Sequence, residues 1–162
     1  MAKVYVIGSL RNPIIPEVSE TLRKETEYEV FDDWYAAGPE ADDFWKSYEV
    51  NRGHSYSEAL DGYAAKHVFD FDKHHLDTSS AAILVLPAGR SGHLELGYMA
   101  GKGARTYILL DKGYVDEGRY DVMYRFASIV TLDLQEIIKD LKENNNVRVY
   151  PDPSTLPNMF KL

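Results

Sequence analysis

The chain has 162 residues, 44% of them hydrophobic and 27% charged, which is typical of one soluble globular domain. The formal net charge of -8, without a dense lysine or arginine cluster, argues against binding along a nucleic-acid backbone. The lack of cysteine excludes disulfides and cysteine-held metals and fits a reducing cytoplasm. No apolar run has the length of a membrane span, and the N-terminal apolar segment is too short for a signal peptide.

The first predicted element is a strand at Lys3–Ile7, a β-branched and aromatic run that ends at a Gly-Ser pair. A helix is expected over residues 14–24, and a second strand at Tyr28–Phe31. The loop after the first strand offers backbone N–H groups, the Ser9 hydroxyl and the Arg11 guanidinium to an anion or a sugar hydroxyl. This loop lacks the glycine spacing of dinucleotide-binding fingerprints and of P-loops.

A long polar and aromatic stretch follows the second strand, with a short helix expected at Glu40–Val50. A connection of this length inside a compact domain is usually functional. Asp33 and Trp34, with Trp45 and Tyr48 further along, supply flat and polar groups suited to a heterocyclic base. The alternative is that the two tryptophans only cover the sheet.

One long helix is predicted over Ser55–Leu76, because apolar residues recur there at helical spacing. Asp72 lies near the carboxyl end of that predicted helix, where the helix dipole disfavours a carboxylate. The histidines of this region, His67, His74 and His75, do not have the arrangement of a metal site. We therefore expect no bound metal.

The centre of the sequence predicts a strand at Ala82–Leu86, a helix at His93–Gly103 and a strand at Thr106–Leu110. Continuous apolar runs of this kind are typical of parallel strands that are covered on both faces. Glu95 falls in the first turn of the predicted helix, at the sheet edge where α/β proteins bind ligands. The helix dipole is expected to keep the pKa of Glu95 low, which suits a nucleophile. The alternative is a capping role for Glu95, with Ser91 as the N-cap.

The last third of the chain predicts a loop at Asp111–Arg119, a short helix at Tyr120–Ala127 and a strand at Ile129–Leu132. Asp133 is expected to N-cap a closing helix that runs to Lys142.

The element order predicts an α/β domain over residues 1–143, a flavodoxin-like, doubly wound sheet of five parallel strands, followed by an extended tail at 144–162. The ligand crevice is expected between the loops Gly8–Arg11 and Ala88–Glu95.

The run S-G-H-L-E-L-G-Y at Ser91–Tyr98, together with Tyr5, the G-S-L-R loop and Asp72, resembles the nucleoside 2-deoxyribosyltransferase family. That family includes hydrolases that cut the N-glycosidic bond of nucleoside 5′-monophosphates. The resemblance covers roughly residues 3–141 and implies a flavodoxin-like fold. It implies small-molecule substrates (nucleosides, nucleotides and free bases), no cofactor, no nucleic-acid polymer and no membrane partner. It also implies homo-oligomers whose active sites borrow residues from a neighbouring subunit.

By this resemblance Glu95 is the nucleophile that attacks the anomeric carbon, Asp72 assists the departing base, and Tyr5 positions the nucleophile. Such chemistry is coherent, because one carboxylate traps an oxocarbenium-like centre while a second acid manages the leaving group. The two acids then need environments that push their pKa values apart, which the two predicted helix ends would supply. The expected substrate-binding residues are Gly8, Ser9, Arg11, Asp33, Trp34, Arg90, Ser91, Gly92, His93, Asp121 and Met123.

Two departures from the family pattern point in opposite directions. Asp121 stands where the transferases have asparagine and some hydrolases serine, and an aspartate there accepts a free 5′-hydroxyl but repels a 5′-phosphate. The loop containing Arg90 and Ser91 lacks the acid that transferases use against the base, and these two side chains suit a phosphate. The preferred interpretation is a cytoplasmic 2-deoxyribosyltransferase; a nucleotide hydrolase and a catalytically silent nucleotide-sensing module are the alternatives. The segment Tyr120–Phe126 is the expected subunit contact and is predicted to complete a neighbour's pocket.

Overall fold

The computed structural model describes residues 1–119 and 121–143, and these contain one sheet of five parallel strands in the order β2-β1-β3-β4-β5. The predicted flavodoxin-like α/β fold is confirmed. The strands are β1 (Lys3–Ile7), β2 (Glu29–Phe31), β3 (Ala81–Val85), β4 (Arg105–Leu109) and β5 (Ile129–Thr131). The α-helices are α1 (Ile15–Glu25), α2 (Ala41–Asn51), α3 (Tyr56–Leu60), α4 (Tyr63–Thr78), α5 (Arg90–Gly101), α6 (Lys112–Asp116) and α7 (Leu134–Glu143), and 3-10 helices cover Asp33–Ala37 and Val122–Phe126. The predicted tail at 144–162 and Tyr120 lie outside the described residues.

Helices cover both faces of the sheet, which is why β1 and β3 are buried along their whole length. Helices α1 and α7 pack on one face, and helices α4 and α5 pack on the other. The strand order reverses between β1 and β3, so the loops that follow these two strands separate and leave a crevice at the sheet edge. Within the described residues, none of the helices combines the length and the apolar character needed to cross a bilayer.

Helix α5 begins at Arg90, earlier than predicted, and its N-cap is Gly89 rather than Ser91, so the predicted cap is wrong. The reason lies in the packing of the first turn. A Cβ atom on Gly92 would lie 3.0 Å from Ile7 Cγ2 and 3.1 Å from Leu84 Cδ1. Because Gly92 has no side chain, the first turn of α5 packs directly on the sheet. The helix therefore begins at Arg90, directly after the loop that follows β3.

The single helix predicted over Ser55–Leu76 is wrong, because the chain breaks at Gly62 into α3 and α4. Ser55 and Glu58 form a capping box that starts α3. The side chain of Glu49, buried and paired with His54, approaches the break so closely that a Cβ atom on Gly62 would lie 2.9 Å from Glu49 Oε1. Helix α4 runs on to Thr78, beyond the predicted end at Leu76, so Asp72 lies inside α4 rather than near its end.

A buried charge cluster fixes α7 to the sheet on the face away from Glu95. Arg105 Nε and Nη2 each donate to the Asp140 carboxylate at 2.8 Å, and the Tyr107 hydroxyl donates to Asp140 Oδ2 at 2.7 Å. Asp133 accepts from the Gln135 N–H at 2.9 Å, so it caps the start of α7 as predicted. These partners explain the charges on this face without reference to a ligand.

Candidate active site

The two predicted catalytic carboxylates and the predicted tyrosine come together on one face of the sheet. Tyr5 lies on β1 and is only 1% exposed, and it packs with residues of α4 and α5. Its hydroxyl donates to Asp72 Oδ1 of α4 at 3.3 Å. Glu95 of α5 is half-buried nearby, close enough for its charge to raise the pKa of Tyr5. Two acids from different helices therefore face a common tyrosine.

Burial sets the pKa of both carboxyl groups. It raises the pKa of Glu95 from 4.5 to about 8, and the charges of Asp72 and Asp42 add to the effect. Burial also raises the pKa of Asp72 from 3.8 to about 6, against the opposing hydrogen bond from Tyr5 and with a further contribution from Asp42. The low pKa predicted for Glu95 is wrong, because α5 starts at Arg90 and places Glu95 in the second turn, away from the terminal N–H groups.

The higher pKa of Glu95 and the lower pKa of Asp72 have a chemical consequence for the pair. Between about pH 6 and pH 8, Glu95 and Asp72 together hold one proton, and the two pKa values belong to the pair. Burial and both neighbouring acids raise the pKa of Tyr5 well above its usual value, so its hydroxyl remains a donor at neutral pH. The site thus contains one carboxylate, one carboxylic acid and one phenol, which is the set needed for nucleophilic attack with proton donation.

A cavity of about 410 Å³ lies where the strand order reverses, between the loops after β1 and β3, as predicted. It is lined by Ser9, Arg11, Asn12, Pro13, Ile14, Pro87, Ala88, Gly89 and Asp111. Neither Glu95 nor Asp72 belongs to this lining, so the carboxylate pair lies outside the wall of the cavity. A larger groove of about 570 Å³, bordered by α1, α6 and the ends of β4 and β5, is lined by none of the described residues predicted for the site.

The loop after β1 is shaped by its own side chains. Ser9 Oγ accepts from the Arg11 N–H at 3.2 Å, and the exposed Arg11 guanidinium lies 3.5 Å from Asp43. The buried Asn12, which the sequence analysis missed, donates to the Val85 and Pro87 carbonyls, both at 3.4 Å. Asn12 thereby joins the two loops of the crevice. An asparagine three residues after Ser9, directly before a proline, was the available signal.

The segment after β2 gives a mixed result for the predicted base-binding groups. Asp33 is exposed on the 3-10 helix that follows β2. Trp34 Nε1 donates to the Val6 carbonyl at 2.8 Å, and the indole packs against both sides of the core, so Trp34 covers the sheet as the alternative interpretation held. Asp42 was missed, although its place in the acidic first turn of α2 was visible in the sequence. Its charge acts on both carboxyl groups of the pair.

The remaining predicted residues lie around the start of α5. Arg90 and Ser91 are exposed, whereas Gly92 is buried against the sheet. Among the described residues, both ring nitrogens of His93 have a partner: Nδ1 contacts the Gly89 carbonyl at 2.8 Å and Nε2 contacts the Tyr124 hydroxyl at 3.0 Å. The substrate contact expected of His93 stays a prediction.

Asp121 and Met123 lie at the start of the segment that contains Tyr124. Asp121 Oδ1 accepts from the Met123 N–H at 2.8 Å, and both residues are exposed. Over the described part of the chain, no three histidine, aspartate or glutamate side chains are grouped to hold a metal ion. In comparisons with known proteins, the chain matches no family model and no curated sequence.

Proposed function

We propose that this protein is a nucleoside 2-deoxyribosyltransferase, which cleaves the N-glycosidic bond of 2′-deoxyribonucleosides and transfers the deoxyribose to another base. The observation that carries the proposal is the half-buried pair of Glu95 and Asp72 beside the hydroxyl of Tyr5. Paired carboxyl groups that share one proton are suited to glycosidic chemistry, because one group attacks and the other donates.

The pKa values place the shared proton mainly on Glu95, so the pair reacts from the less populated arrangement in which Asp72 holds it. In the first step, ionised Glu95 forms a bond to the anomeric carbon while the C–N bond breaks and its electron pair leaves with the base. Asp72 gives its proton to the departing base nitrogen. In the second step, an incoming base attacks the same carbon, Glu95 leaves as a carboxylate, and Asp72 takes a proton from the new base. The proton balance is restored, and neither step requires a cofactor. The Tyr5 hydroxyl holds the carboxyl group of Asp72 in place.

The pH dependence of kcat/KM is expected to be bell-shaped, with limbs near pH 6 and pH 8, because only the singly protonated pair reacts. Below the acid limb both carboxyl groups are protonated, so neither can attack the sugar. Above the alkaline limb both are ionised, so no proton is left for the departing base. Initial rates with deoxyinosine and adenine between pH 5 and pH 9 measure this profile. Tyr5→Phe is the matched variant, since losing its hydrogen bond to ionised Asp72 raises the pKa of Asp72 and moves the acid limb upward. A flat profile would contradict the assignment.

The direct test supplies deoxyinosine with free adenine or cytosine, and in a separate reaction dCMP or dGMP. A new nucleoside in the first reaction supports the transferase. Free base with deoxyribose 5-phosphate in the second supports a hydrolase. No product in either reaction would refute both proposals and leave the nucleotide-sensing module.

Hydrolysis of nucleoside 5′-monophosphates is the second candidate, and the cavity beside the loop after β1 favours it. Ser9 and Arg11 line the cavity, and it reaches Gly89, the N-cap of α5. Gly89 supplies no side-chain cap, so the terminal N–H groups of this helix suit a phosphate. Asp111 in the same lining opposes an anion, which keeps the nucleoside transferase as our first choice.

We also propose that the active unit is a homo-oligomer. Val122, Met123 and Phe126 are 76%, 57% and 63% exposed, an apolar surface that is typical of a contact. Light scattering is expected to give a dimer or larger assembly, and Phe126→Asp is expected to shift it towards monomer with a loss of activity of at least about tenfold. Lys139→Gln, an exposed change on α7, is the control. A monomer with full activity would contradict the proposal.

A further inference from the structure

His93 connects two parts of the chain that are distant in sequence. It lies in the first turn of α5, and its ring stacks on the ring of Tyr124 with a centroid separation of 5.8 Å. The Gly89 carbonyl is an acceptor only, so His93 Nδ1 carries the proton of the neutral ring in this 2.8 Å contact. Nε2 is then the acceptor, and the Tyr124 hydroxyl donates to it at 3.0 Å. The ring thus links the cap of α5 to Tyr124.

Tyr124 is the inward anchor of the segment Val122–Phe126. All five residues of this segment are described, and among them only Tyr124 is buried. Asp121 caps the segment at its start, and Ser128 N donates to the Thr106 carbonyl at 2.7 Å just after its end. Between these two attachments, the buried side chain of Tyr124 joins the segment to α5 through the ring of His93.

We infer that His93 is a positioning residue, which through Tyr124 sets where Asp121 and Met123 stand relative to the helix that carries Glu95. The kinetic consequence rests on the proposed function and on the expectation that this segment, placed by its own α5, completes the pocket of a neighbouring subunit. The contact by which His93 anchors Tyr124 does not depend on the proposed function. His93 acts here without touching the substrate, since both ring nitrogens are used within the protein.

The test compares His93→Ala, Tyr124→Phe and the double variant of the full chain. The exposed His67→Ala is the control, because it removes a histidine from α4. Hydrogen exchange of the peptide covering residues 122–127 is expected to be about tenfold faster than in the wild type in each single variant. The double variant is expected to exchange no faster than the single variants, because both substitutions remove the same hydrogen bond. KM for the deoxynucleoside is expected to rise by about tenfold with kcat nearly unchanged, since the segment supplies binding rather than chemistry.

Three results would overturn the inference. If exchange at residues 122–127 is unchanged in Tyr124→Phe, the hydrogen bond does not anchor the segment. If His93→Ala raises KM while Tyr124→Phe behaves as wild type, His93 touches the substrate directly. If exchange rises throughout the chain in both variants, the role is only structural. Should the wild type cleave no nucleoside or nucleotide, the proposed function fails, and the exchange measurement still decides the anchor.

Discussion

Replacing Glu95 by glutamine will lower kcat for deoxyribosyl transfer by at least about a thousandfold, because the amide cannot form the covalent bond to the sugar. The side chain keeps nearly the same size, so substrate binding is expected to change little. Rates with deoxyinosine and adenine measure the loss, with Glu136→Gln on α7 as the exposed control.

The same substitution tests the intermediate. Brief exposure of the wild type to a deoxynucleoside is expected to leave deoxyribose on Glu95, visible by mass spectrometry of the peptide that contains it. Glu95→Gln is expected to show no adduct. If the variant retains activity, Glu95 is not the nucleophile, and a binding module without catalysis becomes the better description.

Glu95→Gln will also stabilise the protein, increasingly so as the pH rises. The folded protein raises the pKa of Glu95 from 4.5 to about 8, so between these values it holds a proton that the unfolded chain releases. The stability of the wild type therefore falls over this range, by up to about 1.4 kcal/mol for each pH unit. Glutamine has no such proton, and its advantage in free energy of unfolding is expected to approach about 4 kcal/mol by pH 9.

Urea unfolding of the wild type and the variant at pH 4 and pH 9 measures this difference. At pH 4 both side chains are neutral in the folded state, and the two proteins are expected to differ by less than about 1 kcal/mol. Glu136→Gln is expected to show no such dependence on pH, because Glu136 is exposed. A constant difference at both pH values would mean that burial does not raise the pKa of Glu95. The stability cost of an active-site acid would then be absent.

The sheet and the convergence of the acids were accessible from sequence because both depend on local patterns. The apolar runs of β1, β3 and β4 identify parallel strands, and their order brings the following loops to one edge. Glu95 and Asp72 follow from this order and from a family resemblance. Their side chains lie on the same face, where the Tyr5 hydroxyl donates to Asp72 and the charge of Asp72 acts on Glu95.

What sequence did not reveal depends on packing between distant residues. The break at Gly62 follows from the buried Glu49, and the early start of α5 follows from the contact of Gly92 with the sheet. The pKa of Glu95 was predicted in the wrong direction for two reasons: burial, which no local pattern encodes, raises it, and α5 starts at Arg90, so Glu95 lies away from the terminal N–H groups. The contact of His93 with Tyr124 joins residues 31 positions apart, and a single sequence gives no sign of it.

The absence of a side chain at Gly92 affects the burial of Glu95 as well as the path of the backbone. Glu95 follows Gly92 by about one turn, so the height of α5 above Ile7 and Leu84 decides how deeply the acid sits. A methyl group at this point would lift the first turn, admit water to the carboxyl group and return its acidity towards that of a free glutamate. The reactivity of the acid is thus tuned by a neighbour that has no side chain at all.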